Sequence, residues 1–130
     1  MNQVHAIAAP LGRILLALIF VTSGFSKISG YAATQGYMEA MGVPGALLPV
    51  VIAVELLGGL AVMLGWQTRV AAFLLAGFSL LSAVLFHADF GDQMQMIMFM
   101  KNVSIAGGFL MLVSLGGGAF ALDNRSASRQ

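Results

Sequence analysis

Cysteine is absent from this 130-residue chain, and charge nearly so: six Lys and Arg and five Asp and Glu make 8% of the residues. Without a thiol there is no disulfide, iron–sulfur cluster, thiolate zinc site or thiol redox chemistry. Soluble domains carry about 25% charged residues. Eleven charges cannot keep in water a globule that is 59% hydrophobic, so an ordinary soluble enzyme is excluded. A formal net charge of +1 with no basic cluster excludes a nucleic-acid binder, and the apolar content excludes a disordered tail. What is plentiful is apolar sequence, with a mean hydropathy of +0.93. Divided into segments of about 20 residues, it makes membrane spans.

Four such spans are expected, at about residues 8–26, 44–64, 69–86 and 95–115. The first holds one charge, Arg13; its length at about 1.5 Å per residue is about 29 Å, one bilayer core. A signal peptide is the rival reading, with Ala32-Ala33 resembling a cleavage site. Residues 1–9 contain no Lys or Arg, so a retained span is expected. Gly30, Gly36, Gly42, two tyrosines and Glu39 then break the pattern, leaving room for a short interfacial helix over 34–41. Pro44 suits a helix start. Glu55 falls near the middle of the second span, and Gly65-Trp66-Gln67-Thr68 reads as a tight turn with Trp66 at the head-group level. The third span has no internal charge and ends at His87-Ala88-Asp89; the fourth is rich in methionine and closes on Gly116-Gly117-Gly118. Residues 119–130 form a polar tail, of which 123–130 is expected to be mobile.

The fold expected is an all-α integral membrane four-helix bundle in one domain. Four spans put both termini beside the turn at 65–68, a side that collects Arg13, Arg69, Arg125 and Arg129. Lys27 and Lys101 lie on the opposite side with Glu39, Asp89 and Asp92, so the termini are expected on the cytoplasmic side.

A charge in mid-span costs about 2.5–3.5 kcal/mol on insertion scales, so it must turn inward and find a partner. Depth counted from the span ends places Glu55 within reach of Arg13, and an Arg13–Glu55 pair is expected, the guanidinium fork matching the carboxylate. Arg13, Ala17, Phe20, Gly24 and Lys27 share one stripe of the first span, and Glu55 shares a face with Gly58 and Gly59. His87, Lys101 and Asn102 all fall within a turn or two of the outer surface, beside Lys27. Together they outline a candidate pocket of Arg13, Lys27, Glu55, His87, Lys101 and Asn102, floored by Glu55.

Plainer readings exist for each. Lys27, Arg69 and Lys101 can snorkel to the head groups, an Arg13–Glu55 pair can simply lock helix register, and His87 beside Asp89 can be an interfacial cap. Met94, Met96, Met98, Met100 and Met111 read as lipid-facing or packing residues; alternation is not helical spacing, so no copper site and no other metal site is implied. His5 and His87 fall on opposite sides, which excludes a bis-histidine haem within one subunit. Gly58-Gly59 and Gly107-Gly108 read as helix contacts, and Ala72, Ala76, Ser79 and Ala83 form a stripe suited to a helix or subunit contact.

The polar positions form a recognisable pattern. Gly12-Arg13-Ile14, Gly24-Phe25-Ser26-Lys27, Tyr37-Met38-Glu39-Ala40-Met41-Gly42-Val43-Pro44 and Glu55-Leu56-Leu57-Gly58-Gly59 are joined by Gly65-Trp66-Gln67-Thr68-Arg69, Phe86-His87 and Phe99-Met100-Lys101-Asn102-Val103-Ser104-Ile105-Ala106-Gly107-Gly108. This set resembles the DoxX family of small four-span bacterial inner-membrane proteins, over roughly residues 10–123. The family is named for a small subunit of a quinone-linked thiosulfate oxidoreductase, and other members associate with redox or detoxification complexes.

The resemblance implies an accessory or quinone-interacting membrane subunit of an oxidoreductase system. A quinone is its candidate ligand, with a ring carbonyl accepting from Lys101 or Asn102 and a proton passing through His87 or Glu55. No redox centre is encoded, so electrons would come from a soluble or membrane partner. The alternative is a non-enzymatic membrane protein, or homo-oligomer, whose polar cluster is structural or holds a lipid head group or small anion. A transporter is less favoured, because four short helices leave little room for alternating access.

Overall fold

The computed structural model describes residues 3–118 and 120–123, with side chains from Ala6 onward; Arg125, Arg129 and the side chain of His5 lie outside the described residues. The chain forms α1 (Gln3–Ser29), α2 (Tyr31–Ala40), a single 3₁₀ turn (Gly45–Leu47), α3 (Leu48–Leu64), α4 (Thr68–Phe86) and α5 (Gln93–Leu115). Among the described residues there is no strand. Four helical stretches, Ala6–Ser29, Gly45–Leu64, Thr68–Phe86 and Gln93–Leu115, are long and apolar enough to cross a membrane. Side chains such as Leu15 (61% exposed) and Val84 (59%) project outward from them, as hydrocarbon-facing residues must.

Local chemistry explains the boundaries. Pro44 precedes the 3₁₀ turn, and it is Pro49, in the first turn of α3, that occupies the position where a missing N–H costs nothing. Gly65 ends α3 at φ +74°, with the Trp66 amide donating to Ala61 O and the Gly65 amide to Val62 O, a glycine-dependent helix stop. Asp92 caps α5 by accepting from the Met94 amide at 3.0 Å.

The helices pack in the order α1, α3, α4, α5, with α4 and α5 forming the most extensive contact and α1 touching α5 only slightly. Ala72, Ala76, Ser79 and Ala83 are all buried within the protomer, so this stripe serves helix packing inside the bundle. Ala17, Phe20, Val62, Leu75, Ala106 and Phe109 complete a core towards the end that carries the termini. Phe20 meets Phe109 edge-on at 5.4 Å and Phe78 at 6.3 Å, closing a layer across the bundle.

Two glycines set the antiparallel register of α1 on α3. A Cβ at Gly24 would lie 2.6 Å from Leu56, and one at Gly59 would lie 2.9 Å from Val21. A Cβ at either position would make the neighbouring side chain shift, so glycine permits these approaches, and they place the Lys27 level of α1 opposite Glu55.

Candidate functional site

Polar side chains gather at two stations separated by the phenylalanine layer. At the end carrying the termini, Arg13 is 1% exposed, and its guanidinium donates to Met63 O at 2.9 Å and Val62 O at 3.3 Å. These carbonyls belong to the last turn of α3, at the negative end of the helix dipole, and Val62 O also accepts from the Gly65 amide. The residues after α5 fold back over this turn. Leu122 N donates to Leu64 O and Asp123 N to Gly65 O, while the Asp123 carboxylate accepts from Gln67 N at 2.6 Å and Thr68 N at 2.8 Å. Gln67 offers α4 no side-chain cap of its own. Asp123 therefore caps α4 from the far end of the chain.

Partial burial pushes the Asp123 carboxyl upward. Hydrogen bonds from Thr68 and the Gln67 amide, with the attraction of Arg13, outweigh that and hold it below the usual carboxylate range. Asp123, the first residue of the stretch expected to be mobile, is thus docked along with Leu122.

The expected pair of Arg13 and Glu55 does not form; Glu55 pairs with Lys27 at 2.7 Å. The register explains why. Arg13 lies beside Val62 and Met63, and about 1.5 Å per residue puts those roughly 10 Å further along α3 than Glu55. Depth counted from span ends left that offset undetermined.

The second station is a cavity of about 480 Å³ toward the α2 end of the bundle. Lys27 from α1, Glu55 from α3, His87 from the end of α4, and Lys101 and Asn102 from α5 all line it. Arg13 does not. The other walls are largely apolar, including Ile19, Val50, Val54, Leu81 and Ile105, and Phe20 and Phe78 present the phenylalanine layer to it. α2 reaches the cavity through Tyr37 and Met38; Tyr37 stacks on Phe86 at 5.4 Å, and Gln35 donates to Gly45 O at 3.1 Å.

Several polar groups here are already held in place. Asn102 Nδ2 donates to Ser79 O at 3.3 Å, which leaves its second N–H. His87 Nδ1 lies 3.1 Å from Gln95 Oε1; with the amide oxygen accepting, the ring donates from Nδ1 and keeps Nε2 as an acceptor. Lys101 forms no ion pair among the described residues. The arrangement can offer N–H donors and a proton-accepting nitrogen to a ligand whose remaining surface is apolar. A volume of this size is in the usual range for small-molecule sites, about 300–1,000 Å³. Sequence reasoning missed Asp123, Tyr37, Ser79 and the phenylalanine layer. Ser79 carried a local signal as a hydroxyl on a small-residue stripe, Tyr37 stood in the loop motif quoted above, and Phe20 lay on the Arg13–Lys27 stripe.

Comparison with known proteins bears on the whole chain. The DoxX family pattern matches residues 8–88. "Inner membrane protein YqjF" of Escherichia coli is 50% identical over 123 residues, covering 95% of each chain. "Inner membrane protein YphA" of the same organism is 41% identical over 122 residues, 88% of this chain and 87% of that one. "Putative oxidoreductase CatD" of Bacillus subtilis is 33% identical over 85 residues, 65% of this chain and 63% of its own length. No solved structure matches.

Proposed function

The chain belongs to the DoxX family of multi-pass inner-membrane proteins, and from that premise we propose that it is a quinone-interacting accessory subunit of an oxidoreductase system. One observation carries this reading. Polar side chains from separate helices converge on a cavity whose other walls are apolar, between helices that face lipid. The residues present fit a quinone: Lys101 and the second N–H of Asn102 suit a ring carbonyl, and the aliphatic walls suit the ring edge and the start of a prenyl tail. A bound quinone would supply two-electron carrier chemistry, with electrons drawn from a separate redox protein. This chain's own part is to hold and orient the ring, exclude water from the apolar walls, and keep proton-exchanging groups, Glu55 and His87, within the same cavity. The name of the Bacillus subtilis relative supports the redox setting.

The Lys27 and Glu55 pair favours a second reading, in which the cluster serves chiefly to tie α1 to α3. A detergent thermal-shift panel of quinones, small oxyanions and phospholipids separates the two. Quinones are expected to raise the melting temperature of the wild type, with Lys101→Met and Glu55→Gln folded but unresponsive. Silence across the quinones, with Glu55→Gln strongly destabilised, sinks the redox reading and leaves the structural one.

A further inference from the structure

Ser23, Lys27, Thr34 and Tyr37 each line two spaces. One is the cavity. The other is a groove of about 620 Å³ between α1 and α2, completed by Thr22, Ser26 and Ala33. Apart from that alanine, every residue lining the groove bears a hydroxyl or an ammonium. Thr22 and Thr34 turn their hydroxyls back to carbonyls of the preceding turn. The hydroxyls of Ser23 and Ser26 have no protein partner among the described residues, so they are left for water.

The ion pair straddles this divide. The Lys27 side chain is 28% exposed and that of Glu55 only 4%. Lys27 borders both spaces, whereas Glu55 lines the cavity and not the groove. Lys27 Nζ lies 2.7 Å from Glu55 Oε1 as an ion pair, and an ammonium has three N–H bonds, which leaves others for the groove.

We propose that the α1–α2 groove is a water-filled vestibule and that Lys27 relays protons from it to Glu55. In the relay one N–H bond of the Lys27 ammonium breaks as an O–H bond forms on the Glu55 carboxylate. The Lys27 amine then takes a proton from a hydronium in the vestibule, which leaves as water. Net, Glu55 gains one proton and Lys27 returns to its starting state. The other titratable groups facing Glu55 across the cavity are Tyr37 on α2, His87 at the end of α4 and Lys101 on α5. None of the latter two lines the groove. The vestibule rests on the groove and the pair, and stands whichever ligand the cavity takes.

A chain without cysteine lets single-cysteine variants report water access position by position. In proteoliposomes, Ser23→Cys and Ser26→Cys are expected to react with a membrane-impermeant maleimide on the order of tenfold faster than Val84→Cys, because a hydrated thiol ionises readily to the reactive thiolate. The relay is read separately by infrared spectroscopy after a pH drop. The carboxylic C=O band that is absent in Glu55→Gln should appear more slowly once Ser26→Cys carries a bulky maleimide. Equal labelling of Ser23→Cys, Ser26→Cys and Val84→Cys overturns the vestibule. Fast labelling with an unchanged rate of Glu55 protonation after blocking overturns the relay. Should Ser26→Cys fail to fold, labelled Ser23→Cys supplies the same two readings. Neither measurement uses a quinone, so failure here is distinct from failure of the proposed function.

Discussion

Arg13 and Lys27 lie on the same face of α1 about four turns apart, and their surroundings differ in kind. Arg13 is sealed at 1% exposure against helix-end carbonyls and beside Asp123, at the end where the chain folds back over its own turn. Lys27 lies between a hydroxyl-lined groove and an apolar cavity, holding a carboxylate with donors to spare. Polar groups sealed in tight packing fasten helices together. Incompletely committed groups beside empty space are suited to binding something else. The comparison teaches that one bundle keeps its fastening and its chemistry at opposite ends, divided by Phe20, Phe78 and Phe109.

The sharpest way to break this contrast is to remove Arg13. Arg13→Leu strips the α3 carbonyls of a donor and is expected to cost about 1–3 kcal/mol for each buried acceptor left unsatisfied. Chemical denaturation in mixed micelles checks it; a loss no greater than that of Lys27→Leu would erase the distinction. Gly24→Val should come next, at about 1–3 kcal/mol, since the added atoms overlap Leu56 and force α1 away from α3. Cysteines introduced at positions 27 and 55 should be bridged by a spacer of Lys–Glu length when Gly24 is present and less efficiently in Gly24→Val.

Asp123→Ala is expected to cost about 1 kcal/mol, the typical value of a lost helix cap, whereas Asp123→Asn keeps one acceptor oxygen and removes the charge. Its pH dependence carries a definite sign. Because the folded carboxyl titrates below its ordinary value, its contribution is complete above that value and fades as the pH falls through the lower folded one. Acid melting curves of the wild type and Asp123→Asn should therefore converge in that window. Smallest in stability is Glu55→Gln, expected below about 1 kcal/mol because a neutral amide still accepts from Lys27. Its effect should appear in the ligand panel, with the quinone-induced shift lost.

Much of the bundle was legible beforehand, for a physical reason: a lipid solvent makes apolar length and scarce charge decisive. Helix α1, at Gln3–Ser29, extends beyond both ends of the 8–26 stretch read from apolar length before the chain turns into α2. Lys27, Glu55, His87, Lys101 and Asn102 stood out because each is polar in or beside an apolar run. Asp123 did not, because carboxylates are ordinary in a polar tail and nothing nearby announces a cap for residues 67 and 68. Arg13 stood out for the right reason and received the wrong partner.

Composition and spacing by themselves determined that this chain lives in a membrane, how many times it crosses, and which side chains could not be left facing lipid. Tertiary structure decided which of those side chains meet. Position along one helix is known to about a turn from sequence, but pairing depends on the register between two helices. Here that register is set by the close approaches at Gly24 and Gly59, contacts between residues more than thirty apart in the chain. The register brings Lys27 to Glu55 and leaves Arg13 to fasten the other end.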